Sequence, residues 1–89
     1  MNAIISVVGK DAVGILAAVS EGCAKFNSNV IEVSQTVIKN YFTMVMIVDI
    51  DNLKVDFTHF VDEMVLLGKE KNLNINVMHE DIFNLMHKI

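Results

Sequence analysis

The stretch VVGKDAVGILAAVSEGCAKFNSNV, residues 7–30, decides the fold because its hydrophobic period changes from that of a strand to that of a helix. Residues 2–8 are almost wholly apolar and β-rich, which is typical of a covered central strand. Over residues 13–26 the apolar side chains recur at helical spacing, and polar side chains fall on the other side. These apolar residues are Ile15, Leu16, Val19, Cys23 and Phe26. The sequence therefore predicts a strand, a loop that contains Gly9 and Gly14, and an amphipathic helix.

Two further strands are predicted after this helix. Residues 27–29 are short and polar, and they break the helix because such side chains bond the backbone and asparagine tolerates the left-handed conformation. The β-rich runs at 30–38 and 41–50 are separated only by Lys39 and Asn40, a gap that suits a tight antiparallel hairpin. The second run is apolar on one face and partly apolar on the other, which indicates a central strand.

The second half of the chain supplies another helix, an edge strand and a tail. Asp56 is the predicted N-cap of a helix that ends near Asn72. Residues 73–79 alternate between apolar and polar side chains, as expected for a half-exposed edge strand. Residues 80–89 form a predicted short helix with an apolar stripe that should pack on the domain or on a partner subunit. That stripe consists of Ile82, Leu85, Met86 and Ile89.

The order of these elements predicts the fold class. A βαββαβ order with right-handed crossovers leads to an α+β, ferredoxin-like sandwich, in which a four-stranded antiparallel sheet carries both main helices on one face. The short C-terminal helix is added to it. The chain has no proline and no shift in composition, so we expect one domain over residues 1–89, with a core at 1–79 and a helical tail at 80–89.

Composition limits the classes of partner. The chain is 53% hydrophobic, which is more apolar side chain than a small monomer readily buries, so we expect a homodimer or a higher homo-oligomer. A formal net charge of −4 and the absence of arginine argue against direct nucleic-acid binding. No apolar run reaches the length of a membrane span, and no signal peptide is recognisable. We therefore expect a cytoplasmic protein with no membrane partner.

Candidate catalytic and metal-binding residues are few. Cys23 is the only cysteine, which excludes an internal disulfide and a two-thiol metal site, and it is predicted to be a buried core residue. The serines lack a histidine and an acid at a recognisable spacing, so no enzyme activity and no cofactor are predicted. Two arrangements leave a metal site open. They are the pair His79–Glu80, with His59 and His87 elsewhere in the chain, and the cluster Asp49, Asp51 and Asp56, which more often is a solvated turn with a helix cap.

The segment GKDAVGILAAVSEGCAKFNSNVIEVSQTV, residues 9–37, resembles the signature of ACT domains. The family's usual form is an acidic or amide residue, two variable positions, a glycine and two aliphatic residues, then a helix that ends before an asparagine and an aliphatic residue. The corresponding residues here are Asp11, Val13, Gly14, Ile15, Leu16, Asn29 and Val30. The likeness extends over the whole chain and is greatest to stand-alone microbial ACT proteins, whose nearest named relatives are regulators of the glycine cleavage type.

The resemblance implies a regulatory module that binds a small amino acid and acts through oligomerisation or a separate protein. The matching residues above and Gly9, which stands where some members carry a ligand-binding histidine, are the implied ligand-binding residues. The amides and dipole of the helix beginning at Gly14 suit a carboxylate, and Asp11 can accept from an ammonium group. Asn29 could bridge both, and we expect the neighbouring subunit to complete this site. Val13 replaces a frequent proline, which makes the loop less rigid.

Two alternatives remain open from the sequence. In the first, Asp11 only caps the helix and Gly14 only allows tight packing of strand against helix, so the protein is a ligand-free structural or interaction dimer module. In the second, the histidines and aspartates make a metal-binding or minor enzymatic protein.

Overall fold

Four strands and three helices make up the computed structural model, which describes residues 1–10 and 13–86. In chain order they are β1 (Asn2–Gly9), α1 (Ile15–Lys25), β2 (Asn29–Ile38), β3 (Tyr41–Asp49), α2 (Phe57–Glu70), β4 (Asn74–His79) and α3 (Glu80–Met86). The order confirms the predicted βαββαβ arrangement with a short C-terminal helix. The first helix begins at Ile15, with Gly14 as its N-cap in a left-handed conformation, whereas the helical periodicity of the sequence extends back to residue 13.

The strands form one antiparallel sheet in the order β2-β3-β1-β4. The two strands predicted to be central, β1 and β3, are central, and β4 lies at an edge. Gly9 pairs with Phe42 at one end of the sheet, which we call the junction end. Asn2 pairs with Asp49 at the other, which we call the far end. The predicted hairpin between β2 and β3 is confirmed, and Lys39 in its turn has a φ of 55°.

The core lies between one face of the sheet and helices α1 and α2. Its buried residues include Ala3, Ile5 and Val7 of β1, Phe42, Met44, Met46 and Val48 of β3, Ile15, Val19 and Cys23 of α1, Phe60 and Met64 of α2, and Ile75 of β4. Full burial of each large apolar side chain stabilises the fold by roughly 1.5–3 kcal/mol. Both main helices therefore cover the same face, as the sequence predicts. Leu16 departs from the prediction: it lies on the solvent side of α1 and is exposed.

Polar side chains end the helices where the sequence indicates. The Asp56 carboxylate accepts a hydrogen bond from the His59 backbone N–H at 2.8 Å, which confirms Asp56 as the N-cap of α2. Asn27 has a φ of 63° after α1, as expected for a helix-ending asparagine. The Ser28 hydroxyl then donates to the Asp49 carbonyl at 2.9 Å and ties the start of β2 to the far end of β3.

Helix α3 follows directly from the end of β4. This helix contacts β1 and β4. Its predicted apolar stripe does not pack on the rest of the chain, since Ile82, Leu85 and Met86 are exposed. Ile89, the last member of that stripe, lies outside the described residues.

Candidate functional site

The β1–α1 junction contains most of the predicted site residues. Strand β1 ends at Gly9, and Gly14, the N-cap of α1, has a φ of 73°. This backbone conformation is left-handed and favours glycine. Asp11, the predicted partner of an ammonium group, lies outside the described residues. Ile15 is buried in the core and anchors the first turn of the helix below this junction.

The N-terminus of α1 is not neutralised by its own side chains. Gly14 supplies no side-chain acceptor, and the first turn contains no acidic residue. The first backbone N–H groups of a helix lack intrahelical partners and carry the positive end of its dipole. This end of α1 therefore favours an anionic group such as a carboxylate.

Two adjoining clefts open at the junction end. A cleft of about 200 Å³ is lined by Val13, Gly14, Ile15, Ala18, Lys71 and Leu73. A wider one of about 610 Å³ is lined by Val8, Gly9, Lys10, Tyr41, Lys71, Asn72, Leu73 and Asn74. Lys71 and Leu73 border both clefts, and two lysines therefore stand at this end of an acidic chain.

The two glycines of the junction serve different purposes. A methyl group on Gly9 would overlap the Leu73 side chain, so Gly9 allows β1 and the start of β4 to pack closely. A methyl group on Gly14 would meet no atom within 4 Å. Tight packing, one alternative offered for Gly14 from the sequence, therefore does not explain it within the described chain. The left-handed backbone conformation of Gly14 explains the glycine, and no atom of the described residues fills the space in front of it.

The sequence reasoning missed Lys71 and Leu73. Both follow α2, far along the chain from Gly14, and no motif marks them. They reach the junction because β4 pairs with β1, which places the start of β4 beside the end of β1. That pairing follows from the predicted βαββαβ order. The residues of the turn before β4 could therefore have been predicted to lie near the end of β1.

Asn29 and Val30 lie away from this junction. They open β2 at the far end, where Asn29 pairs with Asp49. At about 3.3 Å per residue, the length of β1 alone separates the two ends of the sheet by roughly 20 Å. Asn29 and Gly14 of one chain therefore do not share a site. They could meet only if a second copy brought its far end to this junction.

The aspartates at the far end have structural partners. The Asp49 carboxylate accepts from the Asp51 backbone N–H at 2.8 Å. The Asp51 carboxylate lies 2.6 Å from the N-terminal amine, and this hydrogen bond raises the pKa of the amine. Asp56 is the N-cap of α2. These contacts agree with the reading of this cluster as a turn with a helix cap.

His79 also has structural contacts. Its Nδ1 accepts from the Asp81 backbone N–H at 3.2 Å, and its ring packs edge-on against Phe57. His59 lies 3.6 Å from the Glu63 carboxylate, whereas His87 lies outside the described residues. Within residues 1–10 and 13–86, no three histidine, cysteine or acidic side chains form a group that could hold a metal ion. Among these same residues, no helix is long and apolar enough to span a membrane.

Cys23 is fully buried in the core, as predicted. Burial disfavours the charged thiolate and raises the pKa of the thiol to about 11. A thiol in this environment is a poor nucleophile at neutral pH.

Comparison with known proteins places this arrangement in a family. The model of the ACT domain family matches residues 2–78. A UPF0237 protein of Methanocaldococcus jannaschii is 44% identical over 86 residues, which cover 97% of this chain and 96% of that protein. One from Listeria innocua is 43% identical over 89 residues and the full length of both chains.

Solved structures give the same picture of the fold. An ACT domain protein from Streptococcus pneumoniae superposes with a TM-score of 0.83 at 44% identity, over 93% of each chain. A structure described as a glycine cleavage system transcriptional repressor has a TM-score of 0.77 at 16% identity, over 85% of this chain and 44% of its own. At that identity the second likeness concerns the fold alone.

Proposed function

Because the chain belongs to the ACT domain family, we propose that it is a non-enzymatic regulatory module that binds a small amino acid at the β1–α1 junction. The observation that carries the proposal is the N-terminus of α1, which among the described residues has no side-chain cap and no acidic residue in its first turn, and which opens beside Lys71 onto a small cleft. The module acts in the cytoplasm, through its own oligomerisation or through a separate target protein.

Each end of an amino acid has a partner in this proposal. The carboxylate accepts from the first amides of α1 and lies near the Lys71 ammonium group, while the amino group of the ligand lies near Asp11. Ligand pockets for larger molecules have volumes of roughly 300–1,000 Å³. The cleft at Gly14, at about 200 Å³, suits a ligand of the size of glycine or serine. A second copy supplies Asn29 and Val30, since they stand at the far end of the sheet.

Calorimetric titration with glycine, alanine and serine tests the proposal. The wild type should bind at least one of them, and both Asp11→Ala and Lys71→Met should weaken binding. Loss of one charge-assisted hydrogen bond removes roughly 1.5–3 kcal/mol, or about ten- to a hundredfold in affinity. Lys69→Met is the matched control, because Lys69 lies two residues away and lines neither cleft.

The alternatives predict other results. A ligand-free interaction module, which the exposed apolar surface of α3 favours, would show no heat with any amino acid and no rise in melting temperature. A metal-binding protein would instead be stabilised by a divalent metal, since a ligand selective for the native state raises its melting temperature. If the wild type binds no amino acid, the junction is only a turn and the proposal is wrong.

A further inference from the structure

Charge is distributed unevenly between the two ends of the sheet. At the far end, Lys25 and Lys54 lie among the carboxylates of Asp49, Asp51, Asp56, Glu80 and Asp81. The lysines at the junction end are Lys10, Lys39, Lys69 and Lys71. Among residues 1–10 and 13–86, Glu70 is the carboxylate that stands with them. A chain with a formal net charge of −4 therefore has one end that attracts anions.

The wider of the two junction clefts, which we call the wide cleft, lies within this basic end. Its volume of about 610 Å³ falls in the range of roughly 300–1,000 Å³ that is typical of small-molecule sites. Lys10 and Lys71 are the charged residues among those that line it, and neither forms an ion pair with another described residue. Both ammonium groups are therefore available to an anionic ligand.

Strand pairing places Asn74 and Tyr41 on either side of the end of β1. Asn74 pairs with Val8, and Tyr41 precedes the residue that pairs with Gly9. Because neighbouring strands lie about 4.8 Å apart, these two sides of the wide cleft are roughly 10 Å apart. The Asn74 Oδ1 accepts from the Asn76 Nδ2 at 3.4 Å, so the N–H groups of the Asn74 amide remain as donors for the cleft.

The lining of the wide cleft has a polar part and an apolar part. Lys10, Lys71 and Asn74 supply two positive charges and N–H donors, which are the groups that bind phosphate oxygens. Val8 and Tyr41 supply apolar surface, and Tyr41 is 48% exposed. An exposed aromatic side chain is a stacking surface for a planar ring. The two parts together match a ligand that carries both an anionic group and a ring.

We propose that the wide cleft binds a small phosphate monoester with a planar ring, such as a nucleoside monophosphate, as a second ligand of this chain. The phosphate lies between the Lys10 and Lys71 ammonium groups and accepts from the Asn74 amide, while the ring packs on Tyr41. A phosphate monoester carries a charge of roughly −1.5 to −2 at neutral pH, so it balances two ammonium groups where a single carboxylate does not.

Lys71 couples this second ligand to the amino acid, because it borders both the wide cleft and the cleft at Gly14. Two anions that share one ammonium group compete for it, so each ligand should lower the affinity for the other by the same factor. The antagonism rests on the proposed amino-acid site. The binding of the phosphate monoester does not, since Lys10 and Tyr41 line the wide cleft alone.

Calorimetric titration at low ionic strength tests the proposal, with adenosine monophosphate, phenyl phosphate, adenosine and inorganic phosphate as probes. At least one of the two aromatic phosphates should bind about tenfold or more tightly than inorganic phosphate and adenosine, because only the former fill both parts of the cleft. Lys10→Met should weaken this binding about tenfold or more, the usual effect of losing one charged contact. Lys54→Met is the matched control, since it removes the same charge at the far end and should leave the affinity unchanged.

A second variant separates the ring from the phosphate. Tyr41→Ala should weaken binding of the aromatic phosphate and leave the weak binding of inorganic phosphate unchanged, whereas Tyr41→Phe should keep both. The proposal is overturned if neither aromatic phosphate binds the wild type. It is also overturned if Lys10→Met and Lys54→Met lose affinity equally, because the attraction would then be that of net charge alone. Binding of an aromatic phosphate with no binding of any amino acid would support this site and refute the amino-acid site, and the reverse result would refute this site alone.

Discussion

The Leu73 side chain occupies the space directly over Gly9, so the end of β1 and the residue before β4 pack without a Cβ between them. This contact closes the junction end of the sandwich. It also explains why Gly9 stands at the position where some ACT domains carry a ligand-binding histidine. A side chain larger than hydrogen at Gly9 would compete with Leu73 for the same space.

We expect Gly9→Ala to destabilise the protein by only about 1 kcal/mol, the low end of the range for an overpacked position, because the Leu73 Cδ2 in its way is the end of a flexible, half-buried side chain that can turn aside. Leu73→Ala should remove most of this additional penalty when the two substitutions are combined, because it vacates the space that the new methyl group needs. Urea denaturation of the wild type, both single variants and the double variant gives the coupling energy. Additive effects would show that the two residues do not interact in this way.

Gly14 is the second glycine whose replacement should be costly, but for a different reason. Its φ of 73° penalises a residue with a Cβ by about 1–2 kcal/mol, although no atom of residues 1–10 or 13–86 stands in the way. Gly14→Ala should therefore destabilise the fold more than Gly14→Asn, because asparagine enters the left-handed region more readily. Equal melting temperatures for the two variants would contradict this account. Gly14→Val should also project into the cleft and abolish amino-acid binding.

The Cys23 thiol should be unreactive in the native protein. Its pKa of about 11 exceeds the ordinary value of roughly 8.5, so the folded state favours the protonated form. The stability that this contributes is complete below pH 8.5 and is lost as the pH rises toward 11. The urea midpoint should therefore fall more between pH 8 and pH 10 for the wild type than for Cys23→Ala. A thiol reagent at pH 8 should modify Cys23 only after unfolding, and rapid native labelling would contradict its burial.

Removal of α3 should affect both stability and assembly. A chain that ends at Asp81 loses most of α3 and its contacts with β1 and β4, so we expect a lower melting temperature. It should also shift the oligomeric state, because it removes the exposed apolar side chains Ile82, Leu85 and Met86. Asn84→Ala, on the opposite side of the helix, is the control. If the shortened chain kept the melting temperature of the wild type and the same number of chains per assembly, α3 would be dispensable.

The sequence by itself determined the order of strands and helices and the architecture that follows from it. Hydrophobic periodicity is a local property, so the change of period between β1 and α1 could be seen within one short stretch. Helix-ending and turn residues such as Asp56 and Asn27 also act on their own neighbours, and their positions were predicted correctly. The left-handed Gly14 shortened α1 at its start, because periodicity does not report backbone conformation at a single residue.

Only the tertiary structure decided which of the predicted site residues stand together. Strand pairing joins segments far apart in the chain, and it brought Lys71 and Leu73 to Gly14 while it placed Asn29 at the opposite end of the sheet. The apolar stripe of α3 is evident in the sequence, but its exposure depends on how much of the sheet one short helix can cover. Side-chain burial depends on how the layers pack in the folded chain. The sequence therefore shows which residues are apolar, but not which of them are buried within one chain.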